Sequence, residues 1–69
     1  MDLAAIFGEN VKRHRLRRGL TIEALAHDAR LSYSYVGEVE RGLRNPTLRI
    51  IGALSTALEI ETATLFTSN

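Results

Sequence analysis

Helix stop and start signals recur at short intervals along this chain, and they leave room for little but a bundle of brief helices. Gly19 is followed by Thr21, Ser32 stands before a second compact run, Gly42 closes that run, and Pro46-Thr47 opens another. Glycine just past a helix, and serine or threonine just before one, are the residues that satisfy the orphan carbonyls and amides of helix ends. No stretch of alternating β-branched residues competes with this punctuation, so the fold class is all-α. With 69 residues the chain is one domain, residues 1–69, without repeats or linkers. A domain this small buries only about 60% of its unfolded surface, which favours compact helices or self-association.

The spacing predicts a first helix over about Asp2 to Arg18, with Leu3, Phe7, Val11, His14 and Arg18 on one face. Thr21 caps a second helix from Ile22 to about Ala29, with Glu23 in the first turn where the helix dipole favours an anion. Ser32 caps a third, which carries the inward pair Val36 and Val39 and ends at Gly42. Leu43 to Pro46 is a loop, because proline turns its predecessor away from helix. Thr47 caps a fourth helix, Leu48 to Leu58, expected to bury Leu48, Ile51, Leu54 and Leu58, and Thr62 opens a last short turn ending in Leu65 and Phe66.

Several functions are excluded early. The chain has no cysteine, which removes disulfide scaffolds, thiolate metal sites and cysteine nucleophiles. His14 and His27 lack metal-ligand spacing, no glycine-rich phosphate loop is present, and Asp28 beside His27 does not make a triad. An enzyme is therefore not expected, nor are a metal or cofactor. No apolar run approaches the roughly 20 residues of a membrane span, and MDLAAIFGEN is too short and acidic for a signal peptide. No membrane partner is expected, and a cytoplasmic location follows. Net charge is only +1, yet Lys12, Arg13, Arg15, Arg17 and Arg18 crowd into one local stripe.

Two short helices joined by a tight turn, the second apolar inside and small and polar outside, form a helix-turn-helix over about residues 22–41. At 100° per residue Ser34, Gly37, Glu38 and Arg41 cluster opposite Val36 and Val39, with Tyr33 and Tyr35 at the flanks. Small residues on that outer face let a helix backbone approach base edges in a major groove, and longer ones at its rim reach bases or phosphates. Exposed amides near Thr21-Ile22 and Thr47-Leu48 suit phosphates, with Arg44, Asn45 and Arg49 adding side-chain contacts.

From about residue 7 to 66 the chain resembles the XRE family of helix-turn-helix regulators, which includes the lambda-type phage repressors. The resemblance rests on Val11-Lys12, Arg15, Gly19-Leu20-Thr21, Leu25-Ala26, Leu31-Ser32, Tyr35-Val36, Glu40-Arg41-Gly42, Arg44-Asn45-Pro46-Thr47-Leu48, Leu54, Ala57-Leu58 and Ile60, in that order. It implies a five-helix lambda-repressor-like domain and a sequence-specific transcriptional regulator of double-stranded DNA. The run YSYVGEVERGLRNPTL is most similar to restriction-modification controller proteins or small phage-type repressors.

Carried over by residue, the resemblance implies that Tyr33, Ser34, Gly37 and Glu38 face base edges, and the helical wheel groups Arg41 with them. Tyr35, Arg41 and Arg44 stand at the rim, Tyr35 having packing against a neighbouring helix as its alternative. Thr21, Asn45, Thr47 and Arg49 fall to the DNA backbone. The resemblance also implies an ion pair between Arg15 and Glu40, whereas Arg13 and Arg17 point outward, to solvent or phosphate. His14 replaces an aliphatic family position and is expected in the core with one hydrogen bond.

Three departures carry consequences. Ile22 stands where the family has a phosphate-bracing glutamine, and Arg30 stands at the turn position usually held by glycine. Gly52 within the fourth helix implies close packing of another backbone, such as a dimer partner. Ile50, Ile60, Leu65 and Phe66 exceed what one small core covers, so a two-fold homodimer on a pseudo-palindromic operator is expected; Leu65 and Phe66 folding back to close the core is the alternative. No small-molecule effector is expected. The competing function is a protein-binding module, such as an antitoxin-like domain.

Overall fold

The computed structural model describes residues 1–68, so the expected domain 1–69 extends one residue beyond them. Four α-helices, α1 (Leu3–Arg17), α2 (Ile22–Ala29), α3 (Tyr33–Glu40) and α4 (Leu48–Leu58), are followed by one turn of 3-10 helix, Thr62–Phe66. The fifth helix of the expected fold is therefore this 3-10 turn, since five residues cannot complete an α-helical hydrogen-bond ladder of any length. Among the described residues there is no strand.

α2, α3 and α4 open on the caps expected from the sequence, and α1 opens on Asp2, which stands before the helix rather than in it. The Asp2, Thr21, Ser32 and Thr47 oxygens accept the amides of Ala5, Ala24, Tyr35 and Ile50 at 3.0–3.2 Å. The exits also share one geometry. After α1 the Leu20 amide returns to the Arg15 carbonyl and Gly19 to Leu16, and the same crossed pair of bonds closes α2, α3 and α4. The residue at the bend has φ of 69° at Gly19 and 75° at Gly42, but Arg30 and Glu59 hold it at 59° without being glycine.

The core is Phe7, Val11, Leu25, Ala26, Ala29, Val36, Val39, Leu54, Leu58 and Leu65. Four expected positions at its edge need correcting. Leu3 and Leu48 are 54% and 86% exposed, because each stands in the first turn of its helix, beyond the reach of the packed neighbours. Arg18 likewise ends α1 at the surface, donating to the Ala57 carbonyl and facing Glu59 at 3.3 Å, and His14 is half-buried rather than in the core.

Within the chain, close backbone approach occurs at Gly8, whereas Gly52 meets no backbone of its own chain. A β-carbon at Gly8 would stand 2.0 Å from the Val39 carbonyl oxygen, so α1 rests directly on the end of α3, while nothing lies within 4 Å of the same position at Gly52. Buried Asn10 ties the opposite side of α1 to the 3-10 turn, donating to the carbonyls of Leu65 and Thr67 at 3.0 and 2.7 Å while accepting from Arg13. Phe7 and Phe66 stack across the same seam with centroids 5.2 Å apart.

Candidate nucleic-acid interface

α3 is held from behind and free in front. Val36 and Val39 are buried, and Glu40 at its last turn is gripped by Arg15 of α1 through Nε at 2.7 Å and Nη2 at 3.0 Å. The third nitrogen of that guanidinium donates to the Leu20 carbonyl at 2.8 Å, so one side chain links α1, the α1–α2 turn and α3. The hydrogen bond to Glu40 raises the Arg15 pKa above its ordinary value, outweighing the opposing effect of burial. Orientation of α3 is thus fixed by a charged clamp and by the Gly8 contact, both at its C-terminal end.

The outward side carries the residues expected to read bases. Tyr33, Ser34 and Arg41 are exposed, whereas Glu38 is half-exposed and Gly37 is buried. The Arg41 guanidinium covers Gly37, lying 3.5 Å from where a β-carbon would be, so in the free protein Arg41 occupies the gap that the glycine opens. The Glu38 Oε1 accepts from Arg44 Nε at 2.8 Å, and the Arg44 guanidinium in turn lies 5.4 Å from the Tyr35 ring centroid. Tyr35 is half-buried against the core margin, so its two alternatives coincide: it packs inward and supports the rim cation.

Thr21, Asn45, Thr47 and Arg49 are all exposed. The two threonine hydroxyls already accept the third amides of α2 and α4, which leaves the first two amides of each helix, at Ile22-Glu23 and Leu48-Arg49, without an intrahelical acceptor. Of the residues expected at a dimer interface, Ile50 and Ile60 are half-buried and Phe66 is 38% exposed. Leu65 is corrected: it is wholly buried, because the 3-10 turn folds it into the core beneath Asn10, and it presents nothing to a partner. Phe66 lines an apolar groove of about 180 Å³ with Leu3, Phe7, Pro46 and Ile51.

The sequence reasoning missed the Glu38–Arg44–Tyr35 chain and the Asn10 tie. Both join residues across loops, where helical spacing carries no signal. Among the described residues no three His, Cys, Asp or Glu side chains gather as a metal-ligand set, and no helix is long and apolar enough to cross a membrane.

Residues 11–65 match the helix-turn-helix family model HTH_3. The control protein C.SmaI of Serratia marcescens is 39% identical over 67 residues, covering 97% of this chain and 80% of that protein. The crystal structure of the restriction-modification controller protein C.AhdI from Aeromonas hydrophila superposes with a TM-score of 0.89 at 46% identity, covering 91% of this chain and 96% of that one. The transcriptional regulator ClgR of Mycobacterium tuberculosis is 31% identical over 55 residues, 80% of this chain, and the chain spans 49% of its length.

Proposed function

Since the chain belongs to the HTH_3 helix-turn-helix family, we propose that it is a sequence-specific, DNA-binding transcriptional regulator that acts as a homodimer on a pseudo-palindromic operator, in the manner of a restriction-modification controller. One observation carries this: α3 is clamped from behind by Arg15 and Gly8 while its front presents Tyr33, Ser34, Glu38 and Arg41 to solvent. A rigid helix with a small, polar outer face fits the major groove. Asn45 and Arg49, with the free amides opening α2 and α4, take the phosphates and set the register, and Arg44 stands at the rim within reach of the bases.

One recognition helix reads few base pairs, so two copies joined rigidly gain both affinity and site length. The pairing surface is the exposed side of α4 with the 3-10 turn, where Ile50, Ile60 and Phe66 supply apolar area and Gly52 leaves open space. Half-sites then lie about 34 Å apart, one turn of the duplex. Selection of bound sequences from a random duplex library, combined with sedimentation, tests both parts. An enriched palindrome and a dimer at tens of micromolar are the expected results; an exclusively monomeric protein with no enriched sequence would overturn them.

A further inference from the structure

We propose that Glu38 and Arg44 act as one composite specificity element that selects a cytosine–guanine pair in each half-site, an inference that rests on α3 being the DNA-reading helix. A lone carboxylate on a surface facing phosphates is electrostatically costly, and here it is not alone. Glu38 Oε1 accepts from Arg44 Nε at 2.8 Å, and Arg44 is fixed on its other side over the Tyr35 ring. The Glu38 and Arg44 side chains remain 33% and 52% exposed, and an ion pair that open contributes little to folding, so stability does not account for the arrangement. It does set two groups in a fixed order: an acceptor, Oε2 of Glu38, beside donors, the two Nη groups of Arg44.

That order matches one base-pair edge. In the major groove cytosine offers only the N4 donor, and its partner guanine offers the O6 and N7 acceptors next to it. Guanine and thymine present acceptors that repel a carboxylate. Adenine pairs its N6 donor with an adjacent N7 acceptor, which is unfavourable to a group that only accepts. Arg44 neutralises Glu38 toward the phosphates while reaching guanine with the nitrogens that Glu38 leaves free, so both charges are used in one readout.

The test determines base preference at every half-site position for the wild type, Glu38→Gln, Glu38→Ala and Arg44→Ala, using duplex libraries at fixed salt, with thermal melts of each variant. The wild type is expected to favour C·G at one position by about 5- to 150-fold over the other pairs. Glu38→Gln keeps the shape but adds a donor, and moves that one position toward A·T, since an amide matches adenine N6 and N7. Glu38→Ala flattens the preference there alone, and Arg44→Ala weakens it while lowering the salt dependence. An enriched palindrome whose preferences survive Glu38→Gln unchanged overturns the composite element and leaves the dimeric regulator standing; so does a loss of affinity spread evenly over all sequences. Failure of the wild type to enrich any palindrome overturns both.

Discussion

Arg15 and Glu40 meet in a two-pronged ion pair at 2.7 and 3.0 Å, with only 9% and 4% of their side chains exposed, and the pair sets the tilt of α3, the helix we propose to face DNA. Removing one member strands a buried charge. Arg15→Ala or Glu40→Ala is expected to lower stability by about 3–5 kcal/mol, whereas the apolar pair Arg15→Met/Glu40→Leu recovers much of that loss. Urea denaturation of the three variants checks it, and equal destabilisation in all three would contradict it.

Two glycines in helices are expected to respond oppositely to the same methyl group. Gly52→Ala meets nothing in its own chain and gains helix propensity, stabilising the protein by up to about 1 kcal/mol at concentrations too low for dimerisation. At Gly8 the added carbon meets the Val39 carbonyl, so Gly8→Ala costs about 3 kcal/mol or more despite the better propensity, and α3 shifts with it. Thermal melts separate the two signs.

Arg30 and Glu59 occupy the left-handed bend that glycine fills after α1 and α3. Relief of that strain is worth about 1 kcal/mol, so Arg30→Gly or Glu59→Gly should raise Tm by about 4–8 °C. Calorimetry showing no rise for either would mean that other contacts of these side chains offset the gain.

His14 has its pKa lowered below 6.5, first by burial and then by repulsion from Arg17 and Arg13. Between that lowered value and about 6.5 the unfolded chain binds more protons than the folded one, so stability rises with pH across this window. Its contribution is complete above pH 6.5 and is lost as acidity carries the folded imidazole through its own pKa. Stability curves of His14→Gln, run beside the wild type, should be flatter in that window.

Arg49 is an exposed cation beside the free amides that open α4. Arg49→Ala should weaken binding to specific and random duplexes alike and reduce the slope of log affinity against log salt by about 1. Titrations at several salt concentrations decide it; a changed base preference would move Arg49 from the phosphates to the bases.

The bounds of α2 and α4, the caps Thr21, Ser32 and Thr47 and the inward pair Val36 and Val39 were legible because each depends on neighbours in sequence, whereas the resemblance implied five helices where there are four and a 3-10 turn. Leu48 and Leu3 were misjudged because a helical wheel gives direction around an axis but not how far along it the neighbouring helices extend. The contact at Gly8 was not legible because spacing does not say which glycine meets another backbone. In the interface, the surface positions of α3 followed from periodicity, but the union of Glu38 with Arg44 depends on the path of the loop after Gly42.

The Asn10 tie spans 55 and 57 positions of sequence, from α1 to the 3-10 turn and the residue that follows it. As the chain emerges from a ribosome, α1 precedes its partners, so the amide of Asn10 has no carbonyl to bind and Phe7 has no ring to stack on until residues 65–67 appear. The seam that seals the core therefore closes late. Loop closure over that distance comes before any reward from the contacts it brings, so formation of this seam is expected to limit the folding rate. Until then the chain exposes the apolar side of α1, and its exposure to proteases and to aggregation is concentrated in that interval.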